Sequence, residues 1–143
     1  MEAYEFIEEH KKLVTHFGQW PSFHDAEVHC LSLHRPAKTT SGGNIPSLEL
    51  QLRGWVLKQE VSETGFYKLH GDAVIHFQFD GIFDLKIEGF NNQNVLSSMN
   101  LEVVNDPSMA GSSVLQVELA HCYEFEASFK ARAARIISVT PYA

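Results

Sequence analysis

The sequence predicts a mainly β (α+β) fold: an antiparallel β-sandwich or strongly curved sheet of about seven to eight strands, with one N-terminal helix. Apolar residues recur with a helical period only before Gly18, and beyond it apolar and polar residues alternate. The alternating segments are short, and no long helical pattern recurs between them. We expect a single domain over residues 1–143, with the helix in residues 1–18 and the antiparallel β domain in residues 25–140.

The N-terminal helix is predicted over Tyr4–Phe17. Its apolar residues recur at three- and four-residue spacing, which is typical of an amphipathic helix. Gly18 follows at the position of a left-handed C-terminal cap. We expect Phe6, Leu13 and Phe17 to form the face that packs on the β domain.

Strands are predicted wherever apolar residues alternate with polar ones. Asp80-Gly81 predicts a tight turn, so that Phe83–Ile87 returns as the next strand. Gly89–Val95 is rich in amides and too polar for a strand inside a sheet. The predicted strands are Glu27–Arg35, Ser47–Leu57, Gly71–Phe79, Phe83–Ile87, Asn100–Val104, Ser113–His121, Tyr123–Phe129 and Ile136–Val139.

The segment Trp20–Cys30 concentrates aromatic, imidazole and carboxylate side chains between the helix and the first strand. If that strand begins at Asp25, then Asp25, Glu27 and His29 share one face and together offer a metal-binding set. Alternatively, Asp25 stabilises a turn and His24 hydrogen-bonds the backbone at the same place. The spacing matches no specific metal motif, so we favour the structural interpretation.

Two aromatic residues flank the proline in this segment. Trp20 and Phe23 are expected to anchor the junction between helix and strand, and a lid over a ligand is the alternative. We expect these rings to fix His24 and Asp25 at the start of the first strand. All four residues are therefore candidates for binding.

A second candidate is the amide cluster Asn91, Asn92, Gln93 and Asn94. Its side chains can hydrogen-bond a partner or ligand. Amides in such a run also satisfy the backbone of their own turn, which is the more common outcome.

Composition excludes several classes of protein. Eighteen acidic residues against eleven Lys and Arg give a net charge of −7, which opposes binding to nucleic acid. No apolar segment is long enough to span a membrane, and the acidic N-terminus is unlike a secretory signal. Cys30 and Cys122 are expected to be reduced thiols of a cytoplasmic protein. We find no nucleophile elbow and no phosphate-binding loop.

Two segments resemble one known family. Trp20-Pro21-Ser22-Phe23-His24-Asp25-Ala26-Glu27-Val28 is similar to the signature of the immunity protein 50 family, in which an aromatic residue and a short gap precede Phe-His-Asp and a strand. Leu85–Val95 resembles the Gly-Phe-Asn-x-Gln-Asn stretch of the same small bacterial proteins. The resemblance implies a cytoplasmic protein that binds and blocks a toxin domain from interbacterial competition. It carries over no catalytic residue, although His24 and Asp25 match the motif.

Three hypotheses about function follow. The first is a non-enzymatic immunity protein without a cofactor, whose acidic surface suits a toxin with a basic cleft. The second is a metal-assisted hydrolase that uses the region around His24 and Asp25, and the third is a β domain that binds a small ligand. We expect a protein partner, and the sequence is also compatible with a homodimer.

Overall fold

The computed structural model describes residues 1–38, 44–61, 67–122 and 124–142. A 3-10 turn and one α-helix precede the strands. In chain order the elements are the 3-10 turn Ala3–Phe6, helix α1 His10–Phe17, and strands β1 Glu27–Lys38, β2 Asn44–Val61, β3 Tyr67–Asp80, β4 Phe83–Glu88, β5 Leu96–Asn105, β6 Ser113–Cys122, β7 Phe125–Ala131 and β8 Ala133–Pro141.

The eight strands of the described residues form two four-stranded antiparallel sheets. The first sheet has the order β1-β2-β3-β8, and the second has the order β4-β7-β6-β5. The prediction of a mainly antiparallel β fold with an N-terminal helix is therefore confirmed. Strand β7 continues into β8 across Arg132, so one polypeptide stretch contributes a strand to each sheet.

The prediction that the turn after β3 forms a hairpin is wrong. Gly81 does make a sharp turn, with a φ of 65°. The turn leads out of the first sheet, however, because β4 pairs with β7 of the second sheet. The amides of Gly81 and Ile82 donate to the carbonyl of Pro46, and the amide of Arg132 donates to the carbonyl of Asp80. The bonds to Pro46 hold this turn against β2, and the bond from Arg132 holds β3 against the connection from β7 to β8.

The structure divides the predicted helix at Ile7–Glu9. The amide of Glu8 donates to the carbonyl of Ala134, and the amide of Ile136 donates to the carbonyl of Glu8, at 2.9 and 3.0 Å. Residue 8 therefore pairs with the edge of β8, and a continuous helix would need the same backbone groups. Leu13 and Phe17 are buried as predicted.

The inner faces of the two sheets form the core. The ring of Phe79 on β3 meets the ring of Phe129 on β7 edge to face, with centroids 4.9 Å apart. The largest buried residues on the inner faces, each at most 1% exposed, are Leu48, Leu50, Leu52, Ile75, Phe77, Phe79, Phe125 and Phe129.

Neither α1 nor the 3-10 turn of the described residues has the length and apolar content to cross a membrane.

Candidate functional site

The segment Trp20–Val28, called the corner below, joins the two sheets. Strands β1 and β5 are edge strands, one in each sheet. The amide of Asp25 donates to the carbonyl of Leu96, and the amide of Leu96 donates to the carbonyl of Ala26, both at 2.9 Å. The amide of Val28 donates to the carbonyl of Asn94 at 2.8 Å. The corner therefore occupies backbone groups at the start of β5 that would otherwise form an open edge.

Phe23 is the anchor of the corner. Its ring is fully buried and meets the ring of Phe77 edge to face at 6.1 Å. A Cβ added to Gly54 would lie 2.9 Å from the Phe23 ring, so the ring rests directly on the backbone of β2. Phe23 has a φ of 62°, which is a costly conformation for a bulky residue, and its burial offsets that cost.

Trp20 anchors the corner from outside the core. Its ring is half-buried and stacks on Tyr4 with a centroid distance of 5.0 Å. Through this contact the 3-10 turn covers the corner. In the structure, Trp20 and Phe23 serve as packing residues between the N-terminal segment and the sheets.

His24 and Asp25 lie at the surface of the corner, with side chains 64% and 57% exposed. The Nδ1 atom of His24 is 2.9 Å from the carbonyl oxygen of Ser97. Its Nε2 atom is 3.6 Å from Asp25 Oδ2. The φ of Asp25 is 66°, and β1 begins at Glu27 as predicted, so the strand start at Asp25 that the metal-binding alternative requires is not found. Both side chains are open to a partner.

The segment Gly89–Val95, called the crossing segment below, connects β4 and β5, which are the opposite edges of the second sheet. It passes the turn between β6 and β7, where a Cβ on Gly89 would collide with the carbonyl oxygen of Glu124. The path leaves its backbone without a neighbouring strand for most of its length. Side-chain amides therefore have to supply hydrogen bonds.

The amide cluster divides between internal and exposed residues. Asn94 is buried; its Oδ1 accepts from the amide of Asn91, and its Nδ2 donates to the carbonyl of Asn91. Asn91 Nδ2 donates to the carbonyl of Gly89, and its Oδ1 accepts from the amide of Gln93. Asn92 and Gln93 are exposed. Asn91 and Asn94 thus hold the segment, while Asn92 and Gln93 lie at the surface.

The alternative metal set does not converge. Glu27 Oε1 accepts a hydrogen bond from Arg53 at 2.9 Å and lies 3.6 Å from His29 Nε2. Asp25 instead has His24 as its neighbour. Within the described part of the chain, no group of three His, Cys, Asp or Glu side chains is placed to hold a metal ion.

Arg53 organises a cluster on the outer face of the first sheet. It donates from Nε and NH2 to the two carboxylate oxygens of Asp72 at 3.0 and 2.9 Å. The hydrogen bond to Asp72 is the largest influence that raises the pKa of Arg53. Its guanidinium also lies 3.8 Å from the ring centroid of Tyr142 and 5.3 Å from that of Trp55. No local sequence pattern predicts this cluster, because Asp72 on β3 and Tyr142 after β8 are far along the chain from Arg53 on β2.

The outer face of the second sheet carries a groove that sequence reasoning also missed. Two adjoining cavities of about 450 and 400 Å³ share Lys86 and Ser128. We call this depression the outer groove. Its larger cavity combines small residues with three carboxylates, and is lined by Lys86, Glu88, Ser97, Glu118, Leu119, Ala120, Glu126, Ala127 and Ser128.

The register of the strands places like charges together along the outer groove. Glu88 on β4 lies directly opposite Glu126 on β7. Two residue pairs further along β7, Ser128 lies between Glu118 on β6 and Lys86 on β4. Ser97, which bonds His24 through its carbonyl oxygen, also lines the groove. The corner and the outer groove are therefore parts of one continuous surface.

Comparison with known proteins identifies the family of the chain. The family model described as immunity protein 50 matches residues 9–142. This match covers nearly the whole chain, so the chain belongs to that family. Neither the curated proteins nor the solved structures include a match.

Proposed function

We propose that this chain binds a cognate toxin domain in the cytoplasm and blocks it by occupying its surface, without reaction chemistry of its own. The observation that carries the proposal is the match of the immunity protein 50 model to residues 9–142. A net charge of −7 supports a toxin with a basic cleft, because opposite charges speed association and favour the correct partner.

The residues of the corner and crossing segment have two roles in this proposal. His24, Asp25, Asn92 and Gln93 are exposed and contact the toxin directly. The remaining candidates act indirectly, by holding the exposed ones in place. Trp20 and Phe23 pack the corner, while Asn91 and Asn94 hold the crossing segment. Such pre-organisation lowers the entropy cost of binding.

Co-expression tests the proposal. The toxin domain is taken from a reading frame next to the gene for this chain and is expressed in a sensitive host with or without the chain. We expect growth to recover only when the chain is present, and we expect the purified proteins to elute as one complex. Loss of growth in both cases, with separate elution, would contradict the proposal.

A titration separates blocking from catalysis. Toxin activity is measured while the chain is added in increasing amounts. Because a blocking protein acts only while bound, inhibition should be complete at equimolar chain and not before. Complete inhibition by a small fraction of an equivalent would point to an enzyme that modifies the toxin. Gel filtration of the purified chain without the toxin reports whether the chain forms a homodimer.

A further inference from the structure

We infer that the outer groove receives a convex, lysine- or arginine-rich segment of the partner protein. This inference rests on the proposed function, since it names the surface and the chemistry through which the toxin is bound. It depends on the shape of the groove, on the arrangement of its charges and on its continuity with the corner.

The shape of the groove suits an inserted polypeptide segment. The short side chain of Ser128 on β7 lies in register between the long ones of Lys86 on β4 and Glu118 on β6, and Ala120 adds a second small residue to the lining. The two cavities share Lys86 and Ser128, so the depression continues from one part of the second sheet to the next. Small residues between large ones leave room for long side chains that point into the sheet, which a flat sheet face does not offer.

The charges of the groove favour a basic occupant. Glu88 on β4 and Glu126 on β7 lie directly opposite each other and bring two carboxylates to the first cavity. Glu118 adds a third carboxylate to this cavity, where Lys86 is the one basic residue among the described lining residues. In the second cavity Lys130 is paired with Asp84 at 3.1 Å, so carboxylates are in excess over the two cavities together. An inserted lysine or arginine would be attracted by this excess of carboxylates.

Other occupants suit the groove less well. A nucleic acid would bring phosphates towards Glu88, Glu118 and Glu126, and like charges placed face to face oppose binding. A second copy of this chain carries the same net charge of −7 and would place one acidic groove against another acidic surface. A basic segment has the complementary charge.

The groove also adjoins the residues proposed to contact the toxin. Ser97 lines the groove, and its carbonyl oxygen bonds the exposed His24. Glu88 lines the opposite part and leads directly into the crossing segment. A partner seated in the groove would therefore reach the corner and the crossing segment together.

The experiment uses a short oligolysine peptide as the probe and records backbone amide shifts by NMR. We expect shifts concentrated at Ser97, Ala120 and Ser128, and we expect them to shrink as salt is raised. Shifts spread over the acidic surface, or concentrated elsewhere, would overturn the inference. Shifts at these amides that depend on protein concentration without peptide would assign the groove to a second copy, and would overturn it as well.

Two variants separate charge from shape, with one matched control. Glu88→Gln/Glu126→Gln removes two charges from the groove, and we expect about tenfold weaker peptide binding, which corresponds to roughly 1.4 kcal/mol. Ser128→Tyr fills the space between Lys86 and Glu118 without changing the charge of the groove, and should weaken peptide binding by a similar factor. The control, Glu8→Gln/Glu9→Gln, removes two exposed charges beside helix α1 and should bind as the wild type does. Equal weakening in the control would mean that net charge alone governs binding, and would overturn the inference.

The same variants are then tested for protection against the toxin. Protection by the wild type that is unchanged in both groove variants would overturn this inference and leave the proposed function intact. No protection by the wild type would contradict the proposed function, while the peptide shifts would still decide whether the groove binds basic segments.

Discussion

Replacement of Gly54 by alanine tests how the corner is anchored. The new Cβ would lie 2.9 Å from Cδ1 and 3.0 Å from Cε1 of Phe23. The ring cannot swing into solvent, because it is fully buried and packs against Phe77. The φ of Gly54 lies outside the left-handed region, so alanine meets no backbone penalty there. The clash with the ring should therefore account for the effect.

The magnitude follows from overpacking. Forcing a methyl group into a filled core costs about 1–3 kcal/mol. In a Phe23→Ala background the ring is absent, and that change alone should cost about 3–5 kcal/mol. Gly54→Ala should then stabilise the protein by about 0.4–1 kcal/mol, because alanine restricts the unfolded chain. The two backgrounds should thus differ by about 1.4–4 kcal/mol in the effect of Gly54→Ala.

Urea unfolding followed by circular dichroism measures this difference as a double-mutant cycle of four proteins. The wild type, Gly54→Ala, Phe23→Ala and the double variant are compared under one condition. Coupling of the expected sign supports a ring that lies on the backbone of β2. An equal cost of Gly54→Ala in both backgrounds would refute the reasoning, because the clash would then not involve Phe23.

Three further substitutions test other parts of the structure. Gly89→Ala should lower the melting temperature strongly, since its φ is 68° and the new Cβ would collide with the carbonyl oxygen of Glu124; an unchanged melting temperature would argue against the close approach. Glu88→Gln should raise the melting temperature at low salt, since like charges directly opposite each other on neighbouring strands are destabilising; a lower value would show that repulsion between Glu88 and Glu126 does not control stability there. Asp106→Asn should destabilise the protein at neutral pH. Hydrogen bonds from Ser108, with a contribution from Arg132, lower the pKa of Asp106, so its stabilisation is present above the unfolded pKa of about 3.9 and is lost as pH falls through the folded value. Thermal unfolding of both proteins over a pH series checks this, and a difference that persists in acid would contradict it.

Local patterns in the sequence predict the strands well because burial alternates along them. Leu48, Leu50 and Leu52 point into the core as their spacing indicates. The pairing of strands depends on contacts that local patterns do not contain. Asp80-Gly81 predicts a turn correctly, but the amide of Gly81 donates to Pro46, and this distant contact directs the chain into the other sheet.

The same reasoning explains the helix. The apolar spacing runs through Ile7 to Glu9 without interruption, and the break arises because Glu8 pairs with β8 near the other end of the chain. The outer groove was equally hidden, because Glu88 and Glu126 become neighbours only through the register of β4 and β7. The corner was predicted as a junction rich in functional side chains. Its pairing with β5 could not be predicted, because Leu96 is distant from it in the chain.

The segments that carry the family resemblance hold the proposed binding surface together, and this affects how substitutions in them are interpreted. The corner bonds to Leu96 and Asn94 and so fixes the edge of the second sheet that bears Ser97. A substitution at Phe23 would therefore weaken toxin binding by displacing that edge, without any contact between Phe23 and the toxin. A substitution at His24, which is exposed, would weaken binding while leaving the free energy of unfolding nearly unchanged. Stability and affinity measured on the same variants thus distinguish residues that build the surface from residues that touch the partner.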